Sequence, residues 1–141
     1  KNAIDEASHR FLDHKNTKFI ESDFIEYLRN TNEKYDVILI KSTAFYLEEK
    51  YFHSVLEEIK KQNSADYIAI EEAMFDDMGS QRCKTTNWEW TPQTYSHNYK
   101  FIFEKDNSFK IIKHDHIIRH QRNDLIFQAV VKVDPKKSFE G

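Results

Sequence analysis

The chain of 141 residues has a single cysteine, Cys83, so it can form neither an intrachain disulfide nor a cysteine-based zinc site. That fits a reducing compartment and sets the expectation of a cytoplasmic protein. Glycine is nearly absent. The first of the 2 glycines is Gly79, so no glycine-rich turn of the kind that lets backbone approach a nucleotide phosphate precedes it within this sequence. No apolar run approaches the ~20 residues that cross a bilayer, and no signal-peptide pattern is visible. Neither sign of charge dominates: the net charge is -3, with lysines scattered among carboxylates. This argues against a nucleic-acid face and against adsorption to an anionic membrane.

What is present suits one packed core. Charged residues make up 32% of the chain and aromatics 14%, with Phe 11 and Tyr 7. A chain of this size buries about 70% of its unfolded surface when it folds as a single domain. We expect that domain over residues 1–133, with a polar tail over 134–141. The missing initiating Met, and a first helical turn that begins almost at once, suggest that the native chain starts upstream of Lys1.

Periodicity supplies the elements. Ile4, Ala7, Phe11 and Leu12 recur at helical spacing and predict a helix over residues 2–13. Residues 18–22 read as a strand and Asp23 as the start of a short helix carrying Phe24, Tyr27 and Leu28. The run Val37-Ile38-Leu39-Ile40 predicts a strand over 35–40 buried on both faces, hence central in its sheet. Residues 48–62 are an amphipathic helix that should cover the sheet, with Tyr51, Val55, Leu56 and Ile59 on one side. Residues 66–71 return as a strand. Alternation of this kind predicts parallel α/β architecture. A long polar stretch over 74–92 follows, and Thr91 with Pro92 predicts a helix running toward Phe103. Residues 109–120 and 125–133, rich in Ile, Val and Phe, predict an antiparallel hairpin.

This order of elements, carried by Ala3-Ile4 to Arg10, Phe19 to Asp23, Tyr35-Asp36-Val37-Ile38-Leu39-Ile40, Tyr67-Ile68-Ala69-Ile70-Glu71 and the closing hairpin, resembles the later part of a class I S-adenosylmethionine-dependent methyltransferase. The resemblance implies a Rossmann-like, mostly parallel sheet of order 3-2-1-4-5-7-6 and S-adenosylmethionine as cofactor. It implies that Asp23 meets the adenine amino group, that Phe24 packs on the ring, and that Lys41, Ser42 and Thr43 line the methyl-transfer pocket. The family's glycine-rich first turn and ribose-binding carboxylate would both precede Lys1. No Asn-Pro-Pro-Tyr-like segment follows the 35–40 strand, which points away from nucleobase amino groups and toward a small-molecule or sugar acceptor.

Each candidate residue also has an ordinary structural reading. Asp23 suits a helix N-cap as well as a cofactor contact. Glu71, Glu72, Asp76 and Asp77 cluster after a strand and could orient a substrate or hold a divalent cation, although solvated loop acids fit the same pattern. We take Glu72, with Trp88 and Trp90, as substrate-binding candidates, while Trp88, Trp90, Tyr95 and Tyr99 could equally be core. His53 and His97 are weak general-base candidates. His114, His116 and His120 share strand parity but lack a partner element, so no metal is expected. The competing function is that of a non-catalytic α/β binding or interaction domain, which lacks the cofactor site or completes its sheet with a partner strand.

Overall fold

The computed structural model describes residues 2–75, 86–88, 91–119 and 124–135. Two apolar runs form its parallel pair, β1 (Tyr35–Lys41) and β2 (Ala65–Phe75), with Val37 opposite Tyr67 and Lys41 opposite Glu71. Helices α1 (Asn2–Arg10) and α2 (Phe24–Asn30) precede them. The crossover between the strands is α3 (Glu49–Gln62), which ends at Asn63 in the left-handed region, φ 49° and ψ 46°. The Asn63 N–H closes the last turn on Ile59 and Lys60, a role for which Asn is second only to Gly.

Two short strands, β3 (Thr86–Trp88) and β4 (Thr91–Ser96), pair with each other, and α4 (Tyr99–Glu104) follows. The expected hairpin is present as β5 (Phe109–Arg119) and β6 (Asp124–Val133), with a bulge between Ile111 and Lys113. In the main sheet the strands lie in the order β1-β2-β6-β5, and β6 is antiparallel to both of its neighbours. These are the last four places of the order 3-2-1-4-5-7-6, with the reversed strand where that topology requires it.

Strand alternation puts Ile68, Ile70 and Met74 of β2 on the same face as Phe127, Ala129 and Val131 of β6. That face is covered by Phe52, Val55, Leu56 and Ile59 of α3 and by Tyr99, Ile102 and Phe103 of α4, all buried. Each such side chain contributes about 1.5–3 kcal/mol of burial. The opposite face is open: Val37 is 51% exposed and Leu39 66%.

Three expectations are corrected. Residues 18–22 form no strand, and β1 is an edge strand rather than a central one. Both follow from one cause, since a parallel strand exists only through its neighbour's hydrogen bonds. Among the described residues no strand lies beside 18–22 or along the outer edge of β1. Phe19 instead rests on Phe11, ring centroids 5.8 Å apart, and Ile20 is half exposed. The third correction concerns the helix expected from Thr91. Pairing with β3 draws residues 91–96 into a strand, and the helix begins only after Asn98, whose side chain accepts the Phe101 N–H at 3.3 Å. Pro92 is tolerated because a two-stranded sheet is all edge. The first helix ends at Arg10, short of the expected Asp13. Most of the tail, 136–141, lies outside the described residues. No helix among the described residues is long and apolar enough to cross a membrane.

Candidate functional site

In an open parallel sheet, loops leaving the carboxyl ends of the strands meet on one rim, where ligands bind. Here that rim gathers Lys41, Ser42 and Thr43 after β1, Glu72 on β2 and the first turn of α3. Asp23 joins them through Tyr51, whose hydroxyl donates to Asp23 Oδ2.

Asp23 is the N-cap of α2, and its Oδ1 accepts the Glu26 N–H at 3.1 Å. The Tyr51 hydroxyl and then the Glu26 N–H hold its carboxyl below the usual range, while burial and the Asp23 contact push the Tyr51 phenol up to about 12. The Ile25 N–H faces the same carboxylate, so Asp23 is shared between Tyr51 and the first-turn N–H groups of α2. The side chain is exposed, and Phe24 beside it is 36% exposed.

Lys41 leaves β1 on the open face, its Nζ 3.3 Å from Glu71 Oε1, and Gln128 Nε2 donates to the other Glu71 oxygen at 2.8 Å. Those two contacts hold the Glu71 carboxyl low. Ser42 adopts φ 49°, unusual for a residue other than Gly, and its N–H donates to Glu71 O at 3.0 Å. Thr43 Oγ1 donates back to Lys41 O at 2.8 Å. A short 3-10 turn, Ala44–Tyr46, then leads to α3.

Glu72 is 1% exposed, and its Oε1 accepts the N–H groups of both Thr43 and Ala44 at 2.8 Å. Burial pushes its carboxyl up against the opposing effect of those N–H donors. The sequence reading that put Glu72 in a substrate pocket therefore meets a residue whose nearer oxygen is already engaged by backbone. Its other oxygen, and the hydroxyl of the fully buried Tyr99, have no partner among the described residues. Tyr99 belongs to the core, stacked on Phe127 at 5.8 Å.

His97 is also fully buried, and its Nε2 lies 3.1 Å from Ala44 O and 2.8 Å from Leu47 O. Two carbonyls require Nε2 to carry the proton. That geometry suits a structural donor rather than a general base, and burial keeps the ring's pKa below its ordinary value. His53 sits on α3 with Nε2 3.6 Å from Glu49, beside a groove of about 410 Å³ between α3 and α4. The groove lies apart from Ser42 and Thr43. His114 and His116 neighbour each other on β5, ring centroids 5.7 Å apart, over Phe127. No group of three or more metal-ligating side chains occurs among the described residues. Asp76, Asp77, Trp90 and His120, and the Trp88 side chain, lie outside the described residues.

Sequence reasoning singled out the members of this rim but not their pairing. Tyr51 packs partly against the core, as the apolar stripe of α3 predicts, yet its hydroxyl reaches Asp23, and His97, a weak general-base candidate from the sequence, faces two carbonyls. One signal was present: Glu72 shares strand parity with Ile68, Ile70 and Met74, so an inward-facing carboxylate was readable from the alternation alone.

No protein-family profile and no curated protein sequence matches the chain. Solved structures do. The N-methyltransferase NodS from Bradyrhizobium japonicum, in complex with S-adenosyl-L-homocysteine, superposes with a TM-score of 0.64 at 13% identity, over 93% of this chain and 61% of that one. Magnesium protoporphyrin IX methyltransferase (ChlM) from Synechocystis, with S-adenosylhomocysteine bound, gives 0.57 at 14% identity, over 92% and 57%. A SAM-dependent methyltransferase from Archaeoglobus fulgidus gives 0.55 at 17% identity, over 92% and 73%. The chain thus spans less than two thirds of the first two. Strand order and structural likeness together give this chain the fold of a class I S-adenosylmethionine-dependent methyltransferase, over the part of that fold that holds its last four strands.

Proposed function

We propose that this chain is the later part of a methyltransferase domain that binds S-adenosylmethionine at the carboxyl rim and supports methyl transfer to a small-molecule or sugar acceptor. The observation that carries the reading is the strand order β1-β2-β6-β5 with β6 alone reversed, and it is supported by Lys41 and Ser42 at the carboxyl end of β1 and by the Tyr51 contact to Asp23. In this reading Asp23 accepts the adenine amino group, Phe24 packs against the ring, and Lys41 and Ser42 line the cofactor side. Trp88 and Trp90 are the proposed aromatic contacts of the acceptor. The cofactor supplies an already activated methyl group, so the protein's task is alignment, and no dedicated base is required of His53 or His97.

The site is completed, on this proposal, by chain upstream of Lys1. The edge of β1 that no described strand pairs with, and the face bearing Val37 and Leu39, are where a βαβ unit of parallel strands and helices would dock. A cytoplasmic location is part of the same proposal, on the single cysteine.

The test is calorimetry on the full gene product. Asp23→Ala should weaken S-adenosylmethionine binding by about 1–3 kcal/mol, roughly five- to 150-fold. Because the variant also removes a helix cap worth ~1 kcal/mol, Tyr51→Phe and a stability measurement run beside it. Unchanged affinity in Asp23→Ala removes this residue from the site. A folded full protein that binds no cofactor favours the interaction-domain reading.

A further inference from the structure

The turn after β1 is held from two sides by side chains distant in sequence. At its start, Glu72 Oε1 takes the Thr43 and Ala44 N–H groups, which no side chain of the turn itself caps. At its end, His97 Nε2 faces Ala44 O and Leu47 O. Ala44 between them is 0% exposed. Just upstream, Ser42 is held in the left-handed region, a conformation that persists in a residue with a Cβ only when its surroundings over-determine it.

We propose that Glu72 and His97 are positioning residues: a two-ended clamp that fixes residues 42–47 and thereby presets the rim on which Lys41, Ser42 and Thr43 are displayed. The functional weight of the clamp rests on the methyltransferase reading above, but its existence does not. A buried carboxylate is an expensive way to cap a three-residue turn, since burial opposes its charge and one oxygen goes without a partner among the described residues. Its two N–H contacts are therefore specific to the turn. A loop held only by its own backbone bonds opens more readily than one gripped at N–H and carbonyl ends by buried side chains of β2 and residue 97. Phe52 stacks on the His97 ring at 5.4 Å and Tyr99 meets it edge-on at 5.4 Å, so the imidazole cannot swing away without disturbing the core.

Two measurements on the full protein test this. The first needs no mutation: a nitrogen-15 spectrum of His97 should show the neutral Nε2–H tautomer, and a Nδ1–H tautomer with bare Nε2 would overturn the carbonyl end of the clamp. The second is hydrogen exchange. Glu72→Ala should speed exchange at Thr43 and Ala44 by about tenfold or more, while β2 amides at Ile68 and Ile70 keep their protection, and Glu72→Gln, which retains an acceptor oxygen, should restore it. His97→Gln, which keeps a donor at the position of Nε2, should likewise preserve the turn better than His97→Ala. Equal acceleration at β2, or no acceleration at Thr43 and Ala44, overturns the proposal. Titration with S-adenosylmethionine on the same samples is read separately: a clamp that holds in a protein without cofactor affinity stands, and the methyltransferase reading falls.

Discussion

Replacing Tyr99 with Phe should stabilise the fold. The ring is fully buried, parallel to Phe127 at 5.8 Å and edge-on to Phe52 at 5.7 Å, and Phe keeps every one of these contacts. Only the hydroxyl is lost, and it has no partner among the described residues. A buried polar group whose hydrogen bond goes unmade costs about 1–3 kcal/mol. Against that gain stands the void left by one oxygen, roughly 15 Å³, which at ~24 cal/mol per Å³ costs about 0.4 kcal/mol. The balance is a stabilisation of about 0.6–2.6 kcal/mol, or roughly 2–8 °C in Tm for a chain of this size. Burial and then the neighbouring Glu72 carboxylate push the Tyr99 phenol far up, so the residue stays neutral and the gain should persist across the accessible pH range. Equilibrium urea unfolding reads it as a higher midpoint at unchanged slope. A variant less stable than wild type by 1 kcal/mol or more would mean that the hydroxyl is satisfied, and that the polar region around Glu72 is a connected network.

Further outcomes follow from the same contacts. Burial raises the folded-state pKa of Glu72 above its ordinary 4.5, so its contribution to stability is complete below about 4.5 and is lost as pH rises through the folded value. Glu72→Gln removes this dependence, and its stability relative to wild type should grow from pH 4 to pH 7; urea midpoints at several pH values show a flat or opposite trend if the sign is wrong. Phe52→Ala, at 0% exposure between α3 and α4, should cost about 3–5 kcal/mol, and a loss under 1 kcal/mol would place the core elsewhere. Leu39→Ala separates the two states of the open face. In the 141-residue chain, where Leu39 is 66% exposed, it should change stability by less than about 0.5 kcal/mol, whereas in a full protein with that face covered it should cost about 2–5 kcal/mol. Equal small effects in both would refute the docking of an upstream segment there.

How far the sequence reaches depends on whether an element carries its own reason to form. β1, β2, α3 and the hairpin were legible because Val37 to Ile40, Ile68 to Ile70 and the apolar stripe of α3 are local patterns strong enough to be read without a partner. Residues 18–22 were not, because a strand-like composition yields a strand only beside another strand. The same gap turned β1 from a central strand into an edge. Residues 91–96 failed for the opposite reason: Thr91-Pro92 is a good helix start, but pairing with residues 86–88 outweighs local propensity. At the site, residue types were visible and partnerships were not. Glu72 meets Thr43, and His97 meets Leu47, across 29 and 50 residues of sequence, the first because the crossover brings β2 beside β1 and the second because β4 packs against the turn. Asp23 shows the limit most clearly, because the residue suited to a cofactor is also the cap of α2, and both roles use the same carboxylate.

The most direct test of the central claim is titration of the full gene product with S-adenosylmethionine by isothermal calorimetry, with folding verified in the same sample. The account predicts saturable binding at one site per chain, weakened roughly five- to 150-fold by Asp23→Ala. A folded full protein that gives no binding heat and no thermal stabilisation by the cofactor would contradict it.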